Sequence, residues 1–130
     1  LVSCRKADDL RSMASTDLKI IFDGERCTPL ETFIPLGETI HFTLVNQSNT
    51  EISWYFLIYP IHQASDLQSD EFVFFSSSAN SNQTIQEEFI SPWMPARYDT
   101  LCIPNDDMDN VKLQYVLVVE PYSETPPAKP

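Results

Sequence analysis

Glycine, basic residues and histidine are scarce in this chain of 130 residues, and each scarcity excludes a class of function. With only two glycines, the sequence has no glycine-rich loop that could cradle a phosphate. Lysine and arginine total 8 against 19 aspartates and glutamates, so the net charge of −11 repels nucleic-acid phosphates and anionic lipid heads. The two histidines and three cysteines show no zinc-ligand spacing, and no nucleophile has a recognisable base. We therefore expect a protein that is not an enzyme and that does not bind nucleic acid.

Long apolar runs are also missing, because none approaches the roughly 20 residues of a transmembrane helix. Leu1-Val-Ser-Cys4 matches the end of a bacterial lipoprotein signal, in which the cysteine is lipidated and becomes the new N-terminus. More than one acyl chain on that cysteine gives stable anchoring without a spanning helix. The sequence therefore predicts a lipoprotein anchored through Cys4 in the bacterial cell envelope, facing the periplasm or the exterior. An ordinary cysteine in an N-terminal tail is the alternative.

Composition divides the chain into three segments. Residues 1–16 are expected to be the remnant of the lipoprotein signal and a tether of mixed charge. Residues 17–120 carry the pattern of a single domain, since a chain of this length needs no second one. Residues 121–130 form a proline-rich tail that cannot pair regularly, because its prolines lack amide donors.

The patterning between these tails is that of β-strands. Apolar and polar side chains alternate from Thr39 to Val45, and odd-numbered apolar residues from Val111 to Val119 share one side of the last strand. The polar run 76–82 indicates a surface loop. Strands are predicted over 18–22, 39–45, 52–61, 72–75, 84–90, 97–102 and 111–120. About seven strands at short spacing, without an amphipathic helix, predict an all-β Greek-key β-sandwich.

Five short motifs or single residues occur in a recognisable order between residues 18 and 119. They are Cys27-Thr-Pro29, Pro35-Leu-Gly37, Asn46, Trp54 and Tyr98-Asp-Thr-Leu-Cys102. The same order occurs in the non-blue cupredoxin-like domain of EfeO-type periplasmic iron-uptake proteins, and the chain resembles that domain. The resemblance implies a cupredoxin-like sandwich.

The same motifs indicate whether the chain could form a type 1 copper site. A type 1 site needs two imidazoles and a thiolate, with a weak axial methionine. In blue cupredoxins a Tyr-x-x-x-Cys strand supplies the thiolate, and the following loop supplies a histidine and usually a methionine. Here Cys102 and Met108 are present with no histidine between them, and Glu51, Ser53 or Trp54 stands where the first imidazole belongs. The comparison thus favours the fold without its blue copper.

The three cysteines divide between two roles if the protein is exported. An oxidising compartment favours pairing of structural thiols, which leaves Cys4 for lipid and Cys27 with Cys102 for a disulfide. In the branch that the chain resembles, the corresponding cysteines are close enough to pair or to share a metal. Both outcomes stay open on the sequence alone.

A second candidate site is an acidic loop that holds Asp106, Asp107, Met108 and Asp109. In a cupredoxin loop order, Glu51 lies at the same end of the sandwich. Carboxylates suit hard cations such as Ca²⁺, Mn²⁺ or Fe³⁺, and a methionine thioether suits Cu(I). The spacing matches no metal loop of defined mechanism, so a solvated acidic face is the alternative.

The sequence therefore predicts a cell-envelope lipoprotein whose cupredoxin-like domain lacks type 1 copper. Its role would be that of a metal-ion accessory, for copper or iron, or of a protein-binding module, with no tightly bound cofactor. The expected partners are the membrane through the lipid anchor, a metal ion and a basic envelope protein. The alternative is a copper-binding electron-transfer protein, which requires Cys102 to be free for metal rather than oxidised with Cys27.

Overall fold

The computed structural model describes residues 13–120. The predicted lipidation at Cys4, most of the tether and the tail 121–130 lie outside these residues, so the division into three segments stays a prediction. The described strands are β1 (Asp17–Phe22), β2 (Cys27–Thr28), β3 (Glu31–Pro35), β4 (Thr39–Asn46), β5 (Ile52–Leu57), β6 (Val73–Ala79), β7 (Thr84–Ile90), β8 (Ala96–Pro104) and β9 (Lys112–Val119). Two short 3-10 helices cover Ala64–Gln68 and Met108–Asn110. None of the helices described could cross a membrane.

The strands form two sheets that pack face to face. The first sheet has the order β2-β1-β4-β7, and the second has the order β3-β9-β8-β5-β6. β1 is parallel to β4 and β3 is parallel to β9, while every other pairing is antiparallel. Consecutive strands therefore change sheet repeatedly, as in a Greek key. The predicted all-β sandwich is confirmed.

Alternation along the strands places one set of side chains between the sheets. In β4, Ile40, Phe42 and Leu44 are completely buried, while the residues between them face outward. The ring of Phe42 stacks on that of Trp54 from the opposite sheet, with centroids 4.7 Å apart. Full burial of each such side chain contributes about 1.5–3 kcal/mol to stability.

A second apolar cluster covers the outer face of the five-stranded sheet. Leu101 and Ile103 flank Cys102 in β8 and therefore point away from the main core, against Leu57 and Leu67. Leu67 belongs to the 3-10 helix Ala64–Gln68. Met108, from the predicted acidic loop, packs against the same cluster.

Two sequence predictions fail, one at β6 and one at the neighbouring strand β5. The structure continues β6 through Ser76–Ala79, where the sequence predicts a surface loop over 76–82. β6 is an edge strand that pairs only with β5. Its backbone forms ladder hydrogen bonds on that side, and its other edge is open to water, so a strand rich in serine is tolerated there. β5 itself ends at Leu57 rather than at residue 61.

The last strand buries its even-numbered residues in the main core. Its fully buried residues are Gln114, Val116 and Val118, which alternate with the apolar odd-numbered set. Leu113 on that other side is 46 % exposed. Both faces of β9 are largely apolar, so alternation alone could not tell which faces the core. The short strands β2 and β3 were not predicted at all.

Candidate functional site

Four loops meet at one end of the sandwich, which we call the loop end. The register pairs Phe22 at the end of β1 with Asn46 at the end of β4, so the segments that follow these strands leave on the same side. β5 and β9 begin there, and β6 and β8 end there. The loop end comprises residues 23–26, 47–51, 80–83 and 105–111.

A disulfide between Cys27 and Cys102 lies beneath this end. Cys27 belongs to the four-stranded sheet and Cys102 to the five-stranded sheet, so the bond ties the two sheets together. Cys102 is completely buried, and Cys27 is 8 % exposed. Of the two outcomes that the sequence left open, the structure contains the disulfide. The sulfur at the position of the blue-copper thiolate is therefore bonded to another sulfur.

Neither histidine lies beside Cys102. His41 projects from the outer face of β4, where its Nδ1 is 2.9 Å from an oxygen of Glu88 and its side chain is 56 % exposed. His62 follows β5 at the end of the sandwich opposite the loop end, with its ring edge-on to that of Phe72. The neighbours of Cys102 in the sheet are Trp54 and Lys112. This donor set does not fit type 1 copper, which takes its thiolate and two imidazoles at one point.

A buried polar contact stands next to Cys102 instead. The indole Nε1 of Trp54 donates a hydrogen bond to Oε1 of Gln114 at 3.2 Å. The amide Nε2 of Gln114 in turn donates to the carbonyl oxygen of Pro29 at 2.6 Å. This chain connects β5 and β9 to the segment after β2, close to Cys27. Sequence reasoning missed Gln114, although a single polar residue in phase with Val116 and Val118 was a usable signal.

Asn46 organises the backbone of the loop end. Its side chain is 2 % exposed, and its Nδ2 donates to the carbonyl oxygens of Thr50, Ala79 and Asn80 at 2.7, 3.2 and 3.0 Å. Its Oδ1 accepts from both the amide and the hydroxyl of Ser48. One side chain therefore holds the β4–β5 loop against the end of β6. Because every polar atom of this buried amide has a partner, the loops it joins are held in one arrangement.

The acidic loop opens with a tight turn. Asn105 and Asp106 both have positive φ, near +52° and +54°, and the amide of Asp107 donates to the carbonyl of Pro104, which makes a type I′ turn. The carboxylate of Asp107 then accepts from the amide of Asp109 and from the side chain of Asn110. Asp107 therefore serves as the N-cap of the 3-10 helix Met108–Asn110.

The predicted metal-binding residues have different surroundings. Glu51 and Asp106 lie near Tyr55, whose pKa is raised first by burial and further by these two negative charges. Asp107 is occupied as a cap, and Met108 packs on the second apolar cluster. Within residues 13–120, the structure gathers no three His, Cys, Asp or Glu side chains that could hold a metal ion.

A shallow polar cavity of about 560 Å³ opens between the loops. Its wall includes Asp107 and Lys112 from the five-stranded side and Glu25 from the β1–β2 loop. The wall of the cavity therefore carries charges of both signs. The remaining lining residues are Phe22, Gly24, Thr50, Pro104, Asn105 and Asn110.

Comparison with solved structures finds the same fold in auracyanins. Auracyanin of Roseiflexus castenholzii shares 20 % identity over 82 % of this chain and 98 % of its own, with a TM-score of 0.64. Auracyanin A, a "blue" copper protein of Chloroflexus aurantiacus, shares 17 % over 78 % of this chain and 97 % of its own, with a TM-score of 0.63. Auracyanin B shares 13 % over 79 % and 88 %, with a TM-score of 0.62.

No protein-family model matches the chain, and no curated protein matches it. Identities of this size establish the fold rather than the activity. The particular resemblance to the EfeO-type domain stays a prediction. The strand order, the two packed sheets and the auracyanin structures together show that this chain has the cupredoxin-like fold.

Proposed function

We propose that the chain is a cell-envelope lipoprotein whose cupredoxin-like domain holds no type 1 copper and binds a partner at its loop end. The partner would be a metal ion or, as the geometry favours, a basic envelope protein. The observation that carries the proposal is the state of Cys102. A sulfur in a disulfide supplies no thiolate to copper, and neither imidazole is placed beside it.

The loop end has two properties of a docking surface. Its backbone is fixed by the bonds of Asn46 and by the disulfide, so little conformational freedom is lost when a partner binds. Its carboxylates are spread over neighbouring loops, with Glu51 and Asp106 on the side of Tyr55 and Asp107 beside the cavity. Spread charges attract a complementary basic surface and accelerate its approach, whereas a tightly held cation needs converging ligands. A protein partner therefore suits this geometry better than a bound ion.

The proposed envelope location rests on two features, the Cys27–Cys102 disulfide and the motif at Cys4. A buried disulfide is typical of exported proteins, because cytosolic thiols are kept reduced. The lipoprotein motif at Cys4 supplies the predicted anchor, and the membrane is the corresponding partner. Mass measurement of the protein purified from its native envelope tests the anchor, since lipidation adds the mass of the acyl chains to a chain beginning at Cys4.

Copper-binding electron transfer is the second candidate, favoured by the likeness of the fold to the auracyanins. It requires a free thiolate at Cys102 and a rearrangement that brings nitrogen ligands to it.

The two candidates differ in their expected colour with copper. We expect the purified protein to develop no intense visible band when Cu(II) is added, because thiolate-to-copper charge transfer needs a free Cys102 and two adjacent imidazoles. Absorption spectra of the wild type and of Cys102→Ser measure this directly. A strong blue colour that disappears in Cys102→Ser would establish electron transfer instead.

Docking at the loop end predicts a local electrostatic effect. The double variant Glu51→Gln/Asp106→Asn should bind a tetralysine peptide about fivefold more weakly than the wild type, at about 0.5 kcal/mol for each exposed carboxylate. Calorimetric titration at low salt measures the affinity, and the same titration with Cu²⁺, Mn²⁺ and Fe³⁺ tests the metal-ion role. Neither residue serves as a cap, so the substitutions leave the loop intact.

The matched control is Asp70→Asn/Glu71→Gln, which removes two exposed charges from the opposite end of the sandwich. Binding should be nearly unchanged in this variant. Equal losses in both variants would mean that only net charge matters, and identical isotherms for all three proteins would mean that the loop end is a solvated face.

A further inference from the structure

The strands at the four edges of the two sheets differ in how well they resist pairing with another chain. β2 has only two residues, and β7 carries Glu87 and Glu88. β3 begins with Glu31 and ends with Pro35. Short length, charge and proline each discourage a further strand from adding at a sheet edge. β6 has none of these features, because Val73–Ala79 contains seven residues without a charge or a proline, and within residues 13–120 it pairs only with β5.

Most of β6 keeps the regular geometry that an added strand needs. Its register with β5 shifts only beside Phe74, near the start of the strand. From Phe75 to Ala79, every residue has a partner in β5. A regular antiparallel strand directs alternate pairs of amide and carbonyl groups towards its two sides, so the pairs that do not face β5 point to the open edge. These backbone groups are available to a further strand.

A carboxylate lies beside the open edge. A cavity of about 390 Å³ runs along β6, and its wall includes Ser76, Ser77 and Ser78 with Ile85 and Glu87 of β7. The hydroxyl of Ser77 donates a hydrogen bond to the exposed carboxylate of Glu87. The part of the cavity wall that the structure describes holds no basic residue. This position therefore attracts a basic side chain on an added strand.

The start of β6 meets an open apolar groove of about 420 Å³, at the end of the sandwich opposite the loop end. Its exposed members are Phe74, Ile90, Trp93 and Met94, at 39, 58, 74 and 69 %. The indole of Trp93 lies directly on Gly37, where a Cβ atom would come within 2.7 Å of the ring, so the wall is closely packed. Contiguous exposed apolar surface of this kind marks a binding surface. A strand added along β6 would bring a side chain to this groove beside Phe74.

From the unprotected edge, the carboxylate beside it and the apolar groove at its start, we infer that β6 binds an extended segment of a partner protein as a sixth strand of its sheet. In the antiparallel orientation, the segment places a basic residue opposite Ser77, beside Glu87, and an apolar residue opposite Phe74. Main-chain hydrogen bonds supply the affinity, and these two side chains supply the selection. A second copy of the chain is a poorer occupant, because it brings another Glu87 to the same edge and each chain has a net charge of −11. The inference is independent of the function of the loop end.

Titration with a designed strand peptide tests the inference in the full-length protein. The acetylated and amidated peptide Thr-Thr-Lys-Thr-Val-Phe-Thr places its lysine opposite Ser77 and its phenylalanine opposite Phe74 when its first residue pairs with Ala79. In NMR spectra, the peptide should shift the backbone amides of β6 and slow their hydrogen exchange. Two further peptides are N-methylated at the odd or at the even amides. One of the two should bind at least about tenfold more weakly than the other, since only one edge of an added strand hydrogen-bonds to β6.

Variants of the protein test the two side-chain contacts. Glu87→Gln keeps an acceptor for Ser77 but removes the charge, and it should bind the unmodified peptide about twofold more weakly. Met94→Ser should weaken binding by a similar factor, because it removes apolar surface from the groove. The matched control is Glu88→Gln, which removes the same charge from the outer face of the same strand and should leave the affinity unchanged. All three positions are exposed, so the variants should melt near the wild-type temperature.

The possible outcomes separate strand addition from other kinds of binding. Absence of binding by the unmodified peptide, or equal affinities of the two N-methylated peptides, would overturn the inference. Equal losses in Glu87→Gln and Glu88→Gln would overturn the selection of a basic residue, because only net charge would then matter. A dimer of the protein alone in sedimentation, dissociated by the peptide, would mean that a second copy is the occupant instead of a partner protein.

Discussion

Reduction of the Cys27–Cys102 disulfide should lower the free energy of unfolding by about 4 kcal/mol. The bond joins two cysteines 75 positions apart in the sequence. In the chain-entropy model, a cross-link over that separation lowers the entropy of the unfolded chain, which stabilises the folded protein by about 4 kcal/mol. It also joins β2 of one sheet to β8 of the other, so its loss removes a covalent connection between the layers. Urea unfolding with and without reductant, followed by fluorescence, measures the difference.

The matched control is the double variant Cys27→Ala/Cys102→Ala. Its unfolding midpoint should be low and should not respond to reductant, because it has no bond to break. A wild type that unfolds at the same urea concentration in both conditions would contradict the prediction. Mass analysis of unreduced, alkylated protein gives a second check, since modification of both cysteines would mean that they are not paired in solution.

Substitution of Asn46 by alanine should lower the free energy of unfolding by about 3 kcal/mol. The variant removes the donor to the buried carbonyl of Ala79 and the acceptor of the amide of Ser48, whereas the carbonyl of Asn80 keeps its bond from the amide of Gln83. Each buried polar group that loses its partner costs about 1–3 kcal/mol. Part of this cost is recovered because the exposed loop can admit water. Equilibrium unfolding in urea measures the change.

Two further variants make the test specific. Asn46→Asp should be less stable than Asn46→Ala at neutral pH, because it turns a carboxylate towards three carbonyl oxygens, and its deficit should shrink as acid protonates that carboxyl. Asn49→Ala, at an exposed position of the same loop, should change stability by less than about 0.5 kcal/mol. Equal stabilities for Asn46→Ala and Asn46→Asp at neutral pH would show that the bonds of Nδ2 contribute little.

Much of the fold could be predicted from the sequence, because a strand with one buried face shows alternating apolar and polar residues. β7 has the predicted limits 84–90, and β4 runs only one residue further than predicted. The prediction failed for strands whose sequence shows no alternation of apolar and polar residues. β6 is an edge strand rich in serine, and β2 has only two residues and forms by pairing with β1.

The candidate site was less predictable than the sheets, for reasons of backbone geometry. Five residues close together in the sequence or in loop order suggested one metal site, yet Asp107 caps the 3-10 helix that follows a type I′ turn, and Met108 packs on the second apolar cluster. Asn46 was recognised as a family position, but its five bonds depend on where the β6–β7 and β4–β5 loops come together. Such contacts between distant segments are fixed by tertiary structure alone.

The direction of β1 has a consequence for how the molecule would stand on a surface. Asp17 at its start pairs with His41, and Phe22 at its end lies at the loop end, so the strand runs from the opposite end of the sandwich towards the loop end. If a surface holds the chain through the residues before β1, the end opposite the loop end is therefore the nearer one. β4 spans eight residues, or about 26 Å at the usual rise per strand residue, and this length of strand separates the acidic loops from that end.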